Sequence, residues 1–82
     1  MPTVLRVDGF SFGFYSNDHA PPHVHARKGG RACKIIISTL EIVDLGMKPA
    51  DQAHAASLVQ EHRGFLLAAW ERFQARKGTR HG

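Results

Sequence analysis

The chain reads as an α+β protein: a small four- to five-stranded, mostly antiparallel sheet over residues 3–45, packed by one long C-terminal helix over residues 49–76. Three observations predict this. Phe10, Phe12 and Phe14 alternate with Ser11, Gly13 and Tyr15, the period of two that marks a half-buried strand. Asp8-Gly9 and Gly29-Gly30 punctuate β-rich runs and suit tight hairpin turns. From Pro49 the period changes to 3.6, with Ala55, Val59, His62, Leu66, Ala69 and Phe73 recurring at gaps of four and three.

The elements follow in order. Thr3 to Arg6 is a short strand ended by Asp8-Gly9. Phe10 to Tyr15 is the second, with three phenylalanines on one face. That face is core, or alternatively a platform on which a ligand stacks. Gly13 lets a backbone or a ligand approach closely from the other side. Ser16 to Pro22 is a loop. Each proline fixes φ near about −65° and pushes its predecessor away from helix, so Ala20-Pro21-Pro22 is a stiff extended or turn segment. His23 to Lys28 and Arg31 to Ser38 are strands three and four, joined through Gly29-Gly30. Leu40 to Leu45 fits either a fifth strand or a loop.

Pro49 near the start and Gly78 past the end fit the asymmetry of helix termini. Asp51 in the first turn and Arg76-Lys77 in the last suit the helix dipole. Leu58, Phe65 and Trp70 widen the apolar stripe, enough to cover the sheet and leave area for a partner such as a second copy. Gly64 costs on the order of 1 kcal/mol against Ala in mid-helix, which predicts a kink there. Residues 77–82 form a frayed basic tail.

Eighty-two residues make one domain, 1–82, with a modest core, since so short a chain buries only roughly 60% of its unfolded surface. A net charge of +4 and a pI near 9.9 suit an anionic partner: nucleic acid, an acidic protein or a phosphate substrate. Ordinary solvated charge accounts for them as well. Cys33 is the single cysteine, lies in an apolar run and reads as a core thiol, so no internal disulfide forms. With no signal peptide and no membrane-length apolar run, the expected location is the cytoplasm.

Chemistry concentrates in Ser16-Asn17-Asp18-His19-Ala20-Pro21-Pro22-His23-Val24-His25. Positions i and i+2 of a strand share a face, so His23 and His25 sit on one side about 6–7 Å apart. The loop brings His19 and Asp18 beside them. Arg27, Lys28, Arg31 and Lys34 cluster on the following hairpin, where they can hold phosphates or simply keep a sheet edge from aggregating. His54 is expected on the surface, His62 in the apolar stripe and His81 in the tail.

These residues resemble a known family. Met-Pro-Thr-Val-Leu-Arg at the N-terminus, Phe14-Tyr15-Ser16-Asn17-Asp18-His19, Pro21-Pro22-His23-Val24-His25, the Lys28-Gly29-Gly30 turn, and Ala69-Trp70 with Phe73 are similar to the small prokaryotic proteins catalogued as domain of unknown function 4160. The strand Lys34-Ile35-Ile36-Ile37 and Gly64 depart from the pattern. The resemblance implies a gene often set beside one for domain of unknown function 2442, a layout like a toxin–antitoxin pair, and hence a small protein partner.

Three functions remain open. One is a binding module without catalysis that docks the partner protein, RNA or DNA, with structural histidines. The second is a metal-free ribonuclease toxin. There His23 and His25 serve as base and acid, His19 or Asp18 fixes a tautomer, and Arg27, Lys28, Arg31 and Lys34 hold the phosphate. The third is an open zinc or iron site on His19, His23 and His25, completed by Asp18 or water.

Overall fold

A computed structural model describes residues 1–79 as five strands followed by two helices. The strands are β1 (Thr3–Val7), β2 (Phe10–Gly13), β3 (His23–Lys28), β4 (Arg31–Ile36) and β5 (Ile42–Leu45). They form one sheet in the order β1-β2-β3-β4-β5, each antiparallel to the next. The helices α1 (Pro49–Glu61) and α2 (Arg63–Thr79) complete the α+β fold.

Two turns set the register. Val7 pairs with Phe10 across Asp8 (φ 52) and Gly9 (φ 82). Lys28 pairs with Arg31 across Gly29 (φ 57) and Gly30 (φ 80). Positive φ at both central residues matches the right-handed twist of the flanking strands. This register aligns Phe12 with Ala26, and Ala26 with Cys33. These residues, with Phe10, Phe14, Val24, Ile35 and Ile37, make the buried face of the sheet. Leu58 and Val59 of α1 and Leu66 and Trp70 of α2 close over it. The three phenylalanines are therefore core. Both helices lie on this one face.

The structure moves two expected strand ends and fixes the open segment. The second strand ends at Gly13 instead of Tyr15, because a turn captures the backbone groups that the ladder would use. Tyr15 N–H donates to Asp18 Oδ2 (2.8 Å), and Asp18 N–H to the Tyr15 carbonyl (3.0 Å). The fourth strand ends at Ile36 instead of Ser38, where Leu40 turns at φ 66 and donates its N–H to the Ile36 carbonyl (2.8 Å). The segment Leu40–Leu45, left open above, contains a strand from Ile42 that pairs with Cys33–Ile35.

The single long helix is instead two. His62 leaves helical geometry (φ −105, ψ 22), and α2 restarts with the Leu66 N–H donating to the His62 carbonyl (2.9 Å). The break precedes Gly64, the expected kink, and lies beside Arg63, whose Nε donates to the Ile37 carbonyl (3.0 Å). Tying the helix junction to the end of β4 lets the second segment follow the sheet. Of the expected tail over residues 77–82, α2 continues to Thr79, and 80–82, with His81, lie outside the described residues.

Gly13 resolves likewise. A Cβ there would run into the Pro2 carbonyl, so the close approach is made by the chain's own N-terminal segment. Among the described residues no helix is long and apolar enough to cross a membrane.

Cys33 is 0% exposed, with Sγ 3.7 Å from Met47 Sδ. Burial, with Asp44 adding, pushes its thiol from 9.0 up to about 11. The fold thus favours the neutral thiol, a contribution fully present below pH 9.0 and lost as pH rises toward about 11. Native protein should resist iodoacetamide at neutral pH, with labelling that tracks unfolding. Fast labelling of folded protein would contradict this placement.

Candidate functional site

The loop after β2 and the start of β3 build one cluster. The turn from Tyr15 to Asp18 aims the Asp18 carboxylate inward, and Gln74 of α2 donates Nε2 to the Asp18 carbonyl (3.3 Å). On β3, Val24 and Ala26 point into the core, so His23, His25 and Arg27 take the opposite side. His23, at the end of the sheet where α2 passes, is buried, and its ring leans on Trp70 at 5.2 Å. His23 Nδ1 lies 2.9 Å from the Pro21 carbonyl. The Ala20–Pro21 peptide bond is cis.

Both imidazoles address one oxygen. Asp18 Oδ1 is 3.2 Å from His23 Nε2 and 3.3 Å from His25 Nε2. The edge of the Tyr15 ring packs on His25 at 4.5 Å, and Arg27 donates Nη2 to the Tyr15 hydroxyl (3.3 Å). Burial pushes the Asp18 carboxyl up. The Tyr15 N–H, the His25 hydrogen bond and the charges of both imidazoles outweigh this and hold it below 3.8. His25 is held below 6.5 chiefly by burial, with Asp18 opposing and His23 and Lys34 adding to the depression.

The expected set His19, His23 and His25 is therefore corrected to Asp18, His23 and His25, whose ligand atoms all lie within 4.8 Å of one another. The Tyr15–Asp18 turn points Asp18 in and leaves the next residue, His19, exposed outside the group. An acid and a base that cleave a phosphodiester must face it from two sides. Here both Nε2 atoms face the same carboxylate.

The expected four-cation patch is also divided, by the pleat. Arg27 and Lys34 lie on the face away from the helices. Lys28 and Arg31 lie on the helix side, where Lys28 Nζ sits 3.4 Å from Asp51 and 4.9 Å over the Phe10 ring. Arg31 donates Nη1 to the Gly46 carbonyl (3.1 Å). Arg6, which is not in the expected set, joins Arg27 on the outer face by pairing opposite Ser11, which itself faces Arg27. Tyr15 was also outside that set, although its place opposite the phenylalanines in the alternation signals an outward side chain. Trp70 and Gln74 reach the site only through tertiary packing. His54 is exposed and bonds Asp8 (3.1 Å), and His62 Nε2 is buried with no hydrogen-bond partner among the described residues, 3.7 Å from Glu61 Oε2.

No curated protein and no solved structure matches the chain. The family described as Domain of unknown function (DUF4160) matches residues 9–71, a stretch that holds the whole Asp18–His23–His25 cluster and the Gly29-Gly30 turn. The chain belongs to that family.

Proposed function

We propose that the protein is a binding module that docks single-stranded nucleic acid on the sheet face opposite its helices, as one member of a two-gene, toxin–antitoxin-like system. One observation carries this reading. The outward positions of the strands hold Arg6, Arg27 and Lys34 and, among the described strand residues, no Asp or Glu. Two rows cross that face. Arg6, Ser11, Arg27 and Ala32 make one, and His25, Lys34 and Val43 the other, beyond Gly13, where the N-terminal segment covers the sheet. An open sheet face with spaced cations and an aromatic beside them suits a flexible phosphate backbone. Arg27 is braced by the Tyr15 hydroxyl, and the Asp18 charge is met by two imidazoles.

A partner protein from the adjacent gene would dock along the β5 edge of the sheet, meeting the nucleic-acid face at Val43. The edge strand β5 exposes Val43 (38%) and Leu45 (53%), an apolar strip with unpaired backbone groups beside it.

Anisotropy of a labelled single-stranded RNA tests the face. Three phosphate contacts predict a slope of log K against log salt of about −2, falling by about 0.7 with each cation removed. Arg27→Ala and Lys34→Ala should each weaken binding, while Lys28→Ala and Arg31→Ala, on the helix side, should leave it unchanged. The RNA should be recovered intact. Salt-independent binding, or equal loss from all four variants, would refute the assignment, and cleavage abolished by His23→Ala would favour the ribonuclease reading.

A further inference from the structure

We infer that Asp18, His23 and His25 form a binding site for one divalent cation of the zinc class, independent of what docks on the sheet face. The tautomer of His23 carries the argument. A carbonyl oxygen only accepts, so the hydrogen bond to Pro21 requires the proton on His23 Nδ1. In neutral His23 the Nε2 lone pair then faces Asp18 Oδ1 at 3.2 Å. Two acceptors opposed in a buried place need something positive between them, either a proton or a metal ion. An Nδ1–H bonded to a backbone carbonyl is also the outer support that orients an imidazole for metal ligation through Nε2.

The two distances to the carboxylate fit the metal as they stand, and the two imidazoles close on each other from a group whose ligand atoms lie within 4.8 Å of one another. Zinc bonds of about 2.0–2.1 Å to nitrogen and oxygen place tetrahedral ligands about 3.3–3.4 Å apart. Asp18 Oδ1 stands 3.2 Å and 3.3 Å from the two Nε2 atoms. Among the described residues no carbonyl holds the His25 proton on Nδ1. On metal binding its Nε2 gives up the proton that it donates to Asp18, leaving the neutral ring protonated on Nδ1. Two imidazoles and one carboxylate suit zinc or a neighbouring first-row ion better than calcium or magnesium, which take oxygen cages. With three protein ligands, the fourth position takes water.

The test uses the full chain after chelator treatment and dialysis, titrated with Zn²⁺ and separately with Co²⁺. One equivalent should bind, and Co²⁺ should give the visible absorption of a four-coordinate site. Asp18→Asn and His25→Ala should each weaken binding at least about tenfold. His19→Ala, outside the cluster, should not. Because a ligand variant can lose its fold, imidazole ¹⁵N shifts of the wild-type chain give a second reading. Zn²⁺ should move Nε2 of His23 and His25 and leave His19 and His54 unmoved. Binding unchanged in folded His25→Ala, shifts centred on His19 or His54, or no stoichiometric uptake would each overturn the site.

Discussion

Replacing Phe14 with Ala is expected to remove about 3–5 kcal/mol of folding stability. Phe14 is 0% exposed and meets two residues of α2, Trp70 edge-on at 5.4 Å and Phe73 tilted at 5.4 Å. It is the last inward residue before the loop that carries Asp18, so it ties sheet, second helix and site loop together. Truncation forfeits the transfer energy of the ring and leaves a cavity lined by aromatics that cannot easily collapse. A domain's whole stability is only about 5–15 kcal/mol, and a short chain sits at the low end. Urea unfolding should therefore show Phe14→Ala largely unfolded or close to it. Phe65→Ala, at a ring 48% exposed, should cost far less. A loss at Phe14 under about 1 kcal/mol would contradict the packing of α2 on the sheet.

Replacing Asp18 with Ala should have the next largest effect. It strands the Tyr15 N–H and the His25 Nε2–H, each a donor in a poorly hydrated place worth about 1–3 kcal/mol when left unmade. The pH profile separates this from mere loss of volume. The folded Asp18 carboxyl titrates below 3.8, so its contribution is present above that pH and lost as pH falls through the folded value. His25 titrates below 6.5 when folded, so the unfolded chain binds more protons in the interval beneath 6.5. Both groups make chelator-treated wild type less stable as it is acidified, first below 6.5 and again below 3.8. Asp18→Ala should lose the lower limb and keep the upper. A variant with an unaltered acid limb would mean that Asp18 is not held by these partners.

Much of the fold was legible because its signals are local. Asp8-Gly9 and Gly29-Gly30 need positive φ, and the alternation of Phe10, Phe12 and Phe14 needs one buried face. Pro49 at the first turn of α1 needs no partner for its nitrogen. The helix break was legible only as a weak point at Gly64, two residues past its actual place at His62, while the tie that accompanies it runs from Arg63 to a strand carbonyl. In the site, the spacing of His23 and His25 on a strand placed them together. Asp18 displaced His19 because a four-residue turn, invisible to periodicity, decides which of two neighbours points inward. The cation cluster looked continuous in sequence, yet the pleat that aligns His23 with His25 sends Lys28 and Arg31 to the helix side.

The most direct test is an amide shift map of ¹⁵N-labelled protein titrated with a short single-stranded RNA. Changes should concentrate at Arg6, Ser11, His25, Arg27, Lys34 and Val43, in the two rows that cross the uncovered face, with α1 unmoved. Shifts confined to the helices, or none at RNA concentrations where an unrelated basic domain of equal charge responds, would show that the outward side of this sheet is not where the protein works.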